Sequence, residues 1–371
     1  MHLHYMIIIG LVVTSLPACN ESRAANSTAE STTKRKGIPT SQANTAVDTQ
    51  TNFNPRLLRR FQPMPEFVQP DNRAVTQAQI ELGRMLYYDT RLSKNHDISC
   101  NSCHDLKNYG VDSEPTSAGH KGRRGTRNAP STYNAAALFL QLWDGRADDV
   151  EAQAVMPITN PDEMAMYDPQ RVVAVINSIP GYREMFENAF PGDADAITFK
   201  NLGTAIGAFE RGLVTPSRWD RYLKGDHNAV TPAEINGLKV FTNIGCMVCH
   251  TGELVGGSMF EKVGVVEPWP NQSDQGRYEV TKSMADRMMF KVPSLRNIEK
   301  TAPYFHDGSV ITLPEAVRTM GFHQLGLELS DEEIDAIVVW LKSLTGELPL
   351  DYIKKPELPP SSTSTPAPDP S

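Results

Sequence analysis

Two stretches of the chain carry the same five-residue pattern, Cys100-Asn101-Ser102-Cys103-His104 and Cys246-Met247-Val248-Cys249-His250. Thiols at i and i+3 reach the two vinyl groups of one haem, and the histidine that follows lies beneath the ring, where it supplies the proximal imidazole. One such motif alone also reads as a redox or zinc dithiol that happens to precede a histidine. With five cysteines in all, two copies leave a single further thiol, short of the two that either motif would need to complete a Cys₄ zinc site of its own. The pattern therefore requires two covalently attached c-type haems. A haem that only carries electrons has both axial positions filled, whereas one that performs chemistry needs a position open or openable. The second axial residue of each haem thus separates a carrier from a catalyst.

In the first half, His120 follows His104 by sixteen residues within Ala118-Gly119-His120-Lys121-Gly122-Arg123-Arg124-Gly125. Three glycines allow such a loop to move, which makes His120 a candidate detachable ligand; a solvent-facing histidine among basic residues is the alternative. In the second half the candidate is Met320, in Arg318-Thr319-Met320-Gly321, and thioether ligation would raise that haem's potential. His323 is its main rival and Met284, Met288 and Met289 are lesser ones, while methionine as core filler is the commoner use of the residue.

The elements that must hold these groups are mostly helical. The 371 residues are 40% hydrophobic and 22% charged, enough for two domains with real cores, and this composition excludes collagen, a wholly disordered chain and a multi-span membrane protein. The net charge of −8 provides no basic field for nucleic acid. Thr76-x-x-Gln79, Thr231-x-x-Glu234 and Ser330-x-x-Glu333 are capping boxes, and the last opens a helix with Ile334, Ile337, Val338 and Leu341 on one face. Ala129-Pro130-Ser131-x-x-Asn134 and, nine residues after the Asn, Trp143-Asp144-Gly145 return at the same spacing in Val292-Pro293-Ser294-x-x-Asn297 and His306-Asp307-Gly308, and each set is followed by a Glu-Ala pair, Glu151-Ala152 and Glu315-Ala316. Counted five residues on from Glu151 and Glu315, Met156 stands where Met320 does, as the wall of a pocket or as core filler. The fold expected is mainly α: two cytochrome c-like haem domains with long loops, related by internal duplication.

The fifth cysteine belongs to the leader. Met6 to Val13 is apolar but too short to span a bilayer, and Leu16-Pro17-Ala18-Cys19 follows it, which resembles a bacterial lipoprotein signal with Cys19 as the lipidated residue. An ordinary cleaved signal with an incidental cysteine is the alternative. Either implies export, and Asn20 after a lipidated Cys19 implies an outer-membrane anchor. The organisation expected is a signal peptide over 1–18, a flexible tether over 19–52, an N-terminal haem domain over 53–214, a C-terminal haem domain over 215–350 and a Pro/Ser/Thr-rich tail over 351–371. Low apolar content makes Pro356 to Ser371 a disordered tail, although the chain end has room to pack back on the first domain.

The runs Phe139-x-x-Leu142-Trp143-Asp144-Gly145-Arg146-Ala147, Glu151-Ala152-Gln153-Ala154, Pro157-Ile158-x-Asn160-Pro161-x-Glu163-Met164, Val292-Pro293-Ser294-Leu295-Arg296-Asn297 and Ala302-Pro303-Tyr304-Phe305-His306-Asp307-Gly308-Ser309 resemble the bacterial dihaem cytochrome c peroxidases over about Pro65 to Leu350. The resemblance implies that His104 and His250 are proximal ligands, His120 the displaceable ligand of a peroxidatic first haem, and Met320 the distal ligand of an electron-accepting second haem. It implies that Trp143 lies between the haems, that Gln153 and Glu163 line the peroxide pocket, and that Asn128 with the Thr301 and Pro303 carbonyls holds a calcium ion. Peroxide cleavage needs a carboxylate that shuttles a proton; Glu163 is the choice over neighbouring Asp162. The implied substrate is hydrogen peroxide, the donor a small cytochrome c or cupredoxin, the compartment the periplasm and the assembly a homodimer. Two other classes stay open: a dihaem enzyme oxidising residues of a partner protein, whose known members have Tyr where this chain has Met320, and a non-catalytic dihaem electron carrier.

Overall fold

The computed structural model describes residue 54 and residues 56–371; Cys19, the leader and the tether lie outside the described residues. The described chain is mainly helical, with one small antiparallel sheet in which Phe260–Lys262 pairs with Met289–Lys291. All three sequence-predicted capping boxes are present: Thr76 opens the Gln77–Tyr88 helix, Thr231 the Pro232–Ile244 helix and Ser330 the Asp331–Lys342 helix. Each satisfies two backbone donors that a helix start would otherwise leave open.

Two helix pairs organise the core. Gln77–Tyr88 packs on Phe199–Glu210, and Pro232–Ile244 packs on Asp331–Lys342. Both crossings are closed by a glycine: a Cβ at Gly83 would run into the Ala205 carbonyl, and one at Gly237 into the Ala336 carbonyl. Around the first pair lies an apolar cluster drawn from residues 82–213 together with Ile353. Around the second lies a cluster from residues 219–344 together with Phe61, in which Phe61, Phe241, Trp219 and Trp340 pack as an aromatic block. Ile334, Ile337, Val338 and Leu341 are all buried there, as the helical spacing requires.

The long loops between helices repeat in detail. Asn134 and Asn297 both take left-handed backbone, with φ of 61° and 60°, followed at equal spacing by Leu142 and Phe305 at 68° and 70° and by Gly145 and Gly308 at 66° and 62°. Both asparagines donate to one acceptor: Asn134 Nδ2 is 2.9 Å and Asn297 Nδ2 is 2.8 Å from the hydroxyl of Thr215, which is fully buried. Asn134 Oδ1 accepts from the Thr215 N–H at 3.0 Å and Asn297 Oδ1 from the Gly346 N–H at 2.9 Å, so both amides are satisfied.

Two expectations were open for the tail, a disordered end and a chain end packed back on the first domain. Pro356 to Ser371 is not disordered but lies along the first lobe: Arg91 donates to the Pro359 carbonyl at 2.9 Å, Ser362 to the Ser178 carbonyl at 2.7 Å and Lys94 to the Ser371 carbonyl at 2.8 Å. The composition argument counted only apolar burial. Proline-rich backbone has little freedom to lose on ordering, and its carbonyls, which no regular structure uses, meet cations on the lobe.

Replacing Thr215 by Val keeps the shape and removes the acceptor that two buried amides share, each such loss costing about 1–3 kcal/mol. Thr215→Val should therefore lower unfolding free energy by about 2–4 kcal/mol in denaturant titration, and Thr215→Ser should restore most of it; equal stability of Val and Thr would show that the shared hydroxyl is not a support.

Candidate active site

Each haem motif sits at the mouth of a braced loop. Ser99 begins the Cys100–Cys103 turn, with its N–H donating to Ser102 Oγ at 3.0 Å. His104 Nδ1 lies 3.3 Å from the Gly110 carbonyl and His250 Nδ1 lies 3.1 Å from the Val255 carbonyl. A carbonyl only accepts, so Nδ1 carries the proton and Nε2 keeps the lone pair that binds iron. Burial keeps both imidazoles neutral, pushing His250 down to about 4. The adjoining carbonyls are held by the Pro-Ser loops, through Ser131 Oγ to Tyr109 at 2.7 Å and Ser294 Oγ to Leu254 at 2.8 Å. Burial also pushes up all four motif thiols, an environment that suits uncharged thioethers.

The second motif opens on a largely apolar cavity of about 480 Å³, lined by Cys246, Cys249, His250 and Met320 among others. Its apolar lining and its size fit a haem, which Cys246 and Cys249 would hold through thioethers, with His250 and Met320 as the residues able to ligate iron. The Leu313–Leu325 helix brings Met320 to this cavity. The rival His323 does not line it; its Nδ1 is 2.9 Å from the Glu267 carbonyl and its ring packs on Trp269. Met288 packs with Trp269 and Phe290, Met284 is 65% exposed, and neither they nor Met289 lines the cavity.

In the first half a smaller cavity, about 230 Å³, is lined by Leu142, Arg146, Gln153, Met156, Asn160 and Glu163 with Pro157 and Thr159. Glu163 accepts from Asn160 Nδ2 at 2.9 Å. Burial pushes its carboxyl up, against a smaller downward pull from Arg146 and Asn160. Asp162, by contrast, has a side chain 53% exposed, 3.7 Å from Arg123. The Glu163 carbonyl accepts from the N–H of His120 at 2.7 Å, so the candidate iron ligand and the candidate proton carrier share one backbone contact. The loop is pinned on this side, because a Cβ at Gly119 would run into the Asp162 carbonyl. His120 is buried, with Nε2 3.2 Å from the Ser371 carbonyl.

Arg146 was absent from the sequence-derived candidates. It sits in the cavity wall and donates to Asp144 at 2.8 Å, placing a cation beside Glu163. Its position directly after Gly145 in the repeated turn was the available signal. Met156 lines the same cavity.

Between the halves, Trp143 Nε1 donates to the Asn128 carbonyl at 2.9 Å and its ring meets the edge of His306, whose carbonyl accepts from the Asn128 N–H at 2.8 Å. Asn128 Nδ2 donates to the Glu114 carbonyl at 3.0 Å. Among the described residues nothing donates to Asn128 Oδ1 or to the Thr301 and Pro303 carbonyls, and all three residues line the larger cavity. An all-oxygen set of this kind suits calcium.

A family model described as di-haem cytochrome c peroxidase matches residues 77–228. The cytochrome c551 peroxidase of Nitrosomonas europaea is 48% identical over 78% of this chain and 86% of its own, and that of Pseudomonas aeruginosa is 42% identical over 83% and 90%. Among solved structures, a MauG-like protein associated with microbial copper homeostasis superposes with a TM-score of 0.69 at 29% identity, covering 79% of this chain and 97% of its own. With two C-x-x-C-H loops of one design and relatives matched over most of their length, the chain belongs to the di-haem cytochrome c peroxidase family.

Proposed function

We propose that this enzyme reduces hydrogen peroxide to water at the haem on Cys100 and Cys103, with two electrons taken one at a time from a small c-type cytochrome or cupredoxin at the Met320-ligated haem on Cys246 and Cys249. The bound haems supply the redox chemistry; the residues around the first cavity supply everything else. The observation that carries the reading is Glu163: a half-buried carboxyl, raised by desolvation, facing a small cavity with Gln153 and Arg146.

Breaking the peroxide bond requires moving one proton from the near oxygen to the departing one, and a carboxyl poised above its usual range both accepts and returns it. Gln153 offers an amide to orient the oxygen pair. Arg146 holds a compensating charge at the cavity wall, itself fixed by Asp144. His120 serves as the displaceable ligand, and its bond to the Glu163 carbonyl couples its position to the segment that carries the acid. Trp143 forms the aromatic step between the two cavities. Asn128, Thr301 and Pro303 hold calcium at the junction, and the coincident loop conformations support descent of both halves from one duplicated haem domain. Met320 favours peroxide reduction over oxidation of a partner protein. Periplasmic export with Cys19 as lipid anchor and assembly as a homodimer complete the reading.

Glu163→Gln should lower kcat/KM for hydrogen peroxide by about 10²–10⁴ with both haems attached by haem stain; activity within threefold of the parent would remove Glu163 from the chemistry. Calorimetric titration of chelator-treated enzyme should find one calcium site per chain, absent in Asn128→Ala. Heat of binding unchanged in that variant would assign the ion elsewhere.

A further inference from the structure

Lys291 is a cation with no assigned work. The residue is 5% exposed and closes the Met289–Lys291 strand, opposite Phe260, with its N–H bound to the Trp143 carbonyl at 2.8 Å. It lines the same cavity as Cys246, Cys249, His250 and Met320. No described side chain pairs with its ammonium. The nearest candidate, Asp144, is already held by Arg127 and by Arg146, and Arg127 is shared in turn with Asp274 at 2.6 Å. Glu261, the acid that lines this cavity, faces Phe290 in the strand register and accepts from the N–H of Lys262 at 2.9 Å.

A buried ammonium without a partner is expensive, and proteins resolve the cost by pairing it or by discharging it. With protein atoms alone around it, burial pulls Lys291 down to about 7. The cofactor brings what is missing. A porphyrin joined through its vinyl edge to Cys246 and Cys249 carries two propionate carboxylates on its opposite edge, and these too need a counter-charge once out of water.

We infer that Lys291 is the buried counter-ion of a propionate on the C-terminal haem. The inference rests on haem occupying the Cys246–Met320 cavity. The pairing anchors the ring at the edge remote from its thioethers. It also cancels a negative charge near the iron that would otherwise stabilise the ferric state, so it lifts the potential of the electron-accepting haem together with Met320. The Lys291 N–H to Trp143 bond then places this charge on the segment that joins the two cavities.

The test uses the holoenzyme, with the potential of the Met-ligated haem read by spectroelectrochemistry rather than by turnover. Lys291→Met should shift that haem's reduction equilibrium at least tenfold toward the ferric form, about 59 mV, with the thioether band retained; Lys291→Arg should stay within threefold of the parent. A parental potential in Lys291→Met overturns the inference. Should Lys291→Met fail to load haem, the propionate-bending band in resonance Raman decides: it should differ between the parent and Lys291→Arg, and identical bands overturn the pairing. Absence of haem from the Cys246 motif of the parent would instead refute the underlying haem assignment, which keeps the two failures apart.

Discussion

One buried hydroxyl sets the relation between the two halves. Thr215 takes a hydrogen bond from Asn134 and another from Asn297, and each asparagine belongs to the Pro-Ser loop that braces the carbonyls behind a proximal histidine. The amide N–H groups have no water to turn to, so the geometry of both loops is fixed against the same atom. Close by, the Arg296–Asp220 pair at 2.6 Å is almost fully buried and also receives the Met64 N–H at 2.7 Å and the Ser217 N–H at 2.7 Å. Pairs of this kind are weak sources of net stability but costly to break on one side. They make the junction a poor place for compromise. The proposed transfer of electrons between the two haems would depend on such a junction.

On this common plan the cavities diverge. The second is large and apolar with Met320 in its wall; the first is small and lined by Glu163, Gln153 and Arg146. Met156 stands five residues past Glu151 as Met320 does past Glu315, but it borders the smaller cavity. The proposed reaction uses this inequality, since a soft thioether suits electron storage while peroxide cleavage needs a proton carrier. His120 links the two requirements, because its backbone hangs on the residue that carries the acid.

Much of this was legible in the sequence because it rests on local rules. The C-x-x-C-H motifs, the three capping boxes and the loop repeat depend on spacing alone, and the structure places Ile334, Ile337, Val338 and Leu341 where a helical period puts them. Choices between neighbours were not legible. Glu163 and Asp162 differ by one position and Met320 and His323 by one helical turn, so only the packing of the segment says which faces a cavity. Arg146 and Lys291 escaped for a related reason, since a charge gains meaning from what is or is not beside it in space. The sequence could not choose between a disordered and a packed tail, because its ordering rests on carbonyls meeting Arg91 and Lys94, which composition does not register.

The inequality of the two haems can be measured in a single potentiometric titration of the holoprotein, following the near-infrared thioether band alongside the Soret absorption. Two well-separated one-electron steps should appear, with the thioether band titrating only with the upper one and absent from Met320→His. Two coincident steps, or a thioether band that survives the loss of Met320, would contradict the assignment of unequal haems on which the peroxidase mechanism stands.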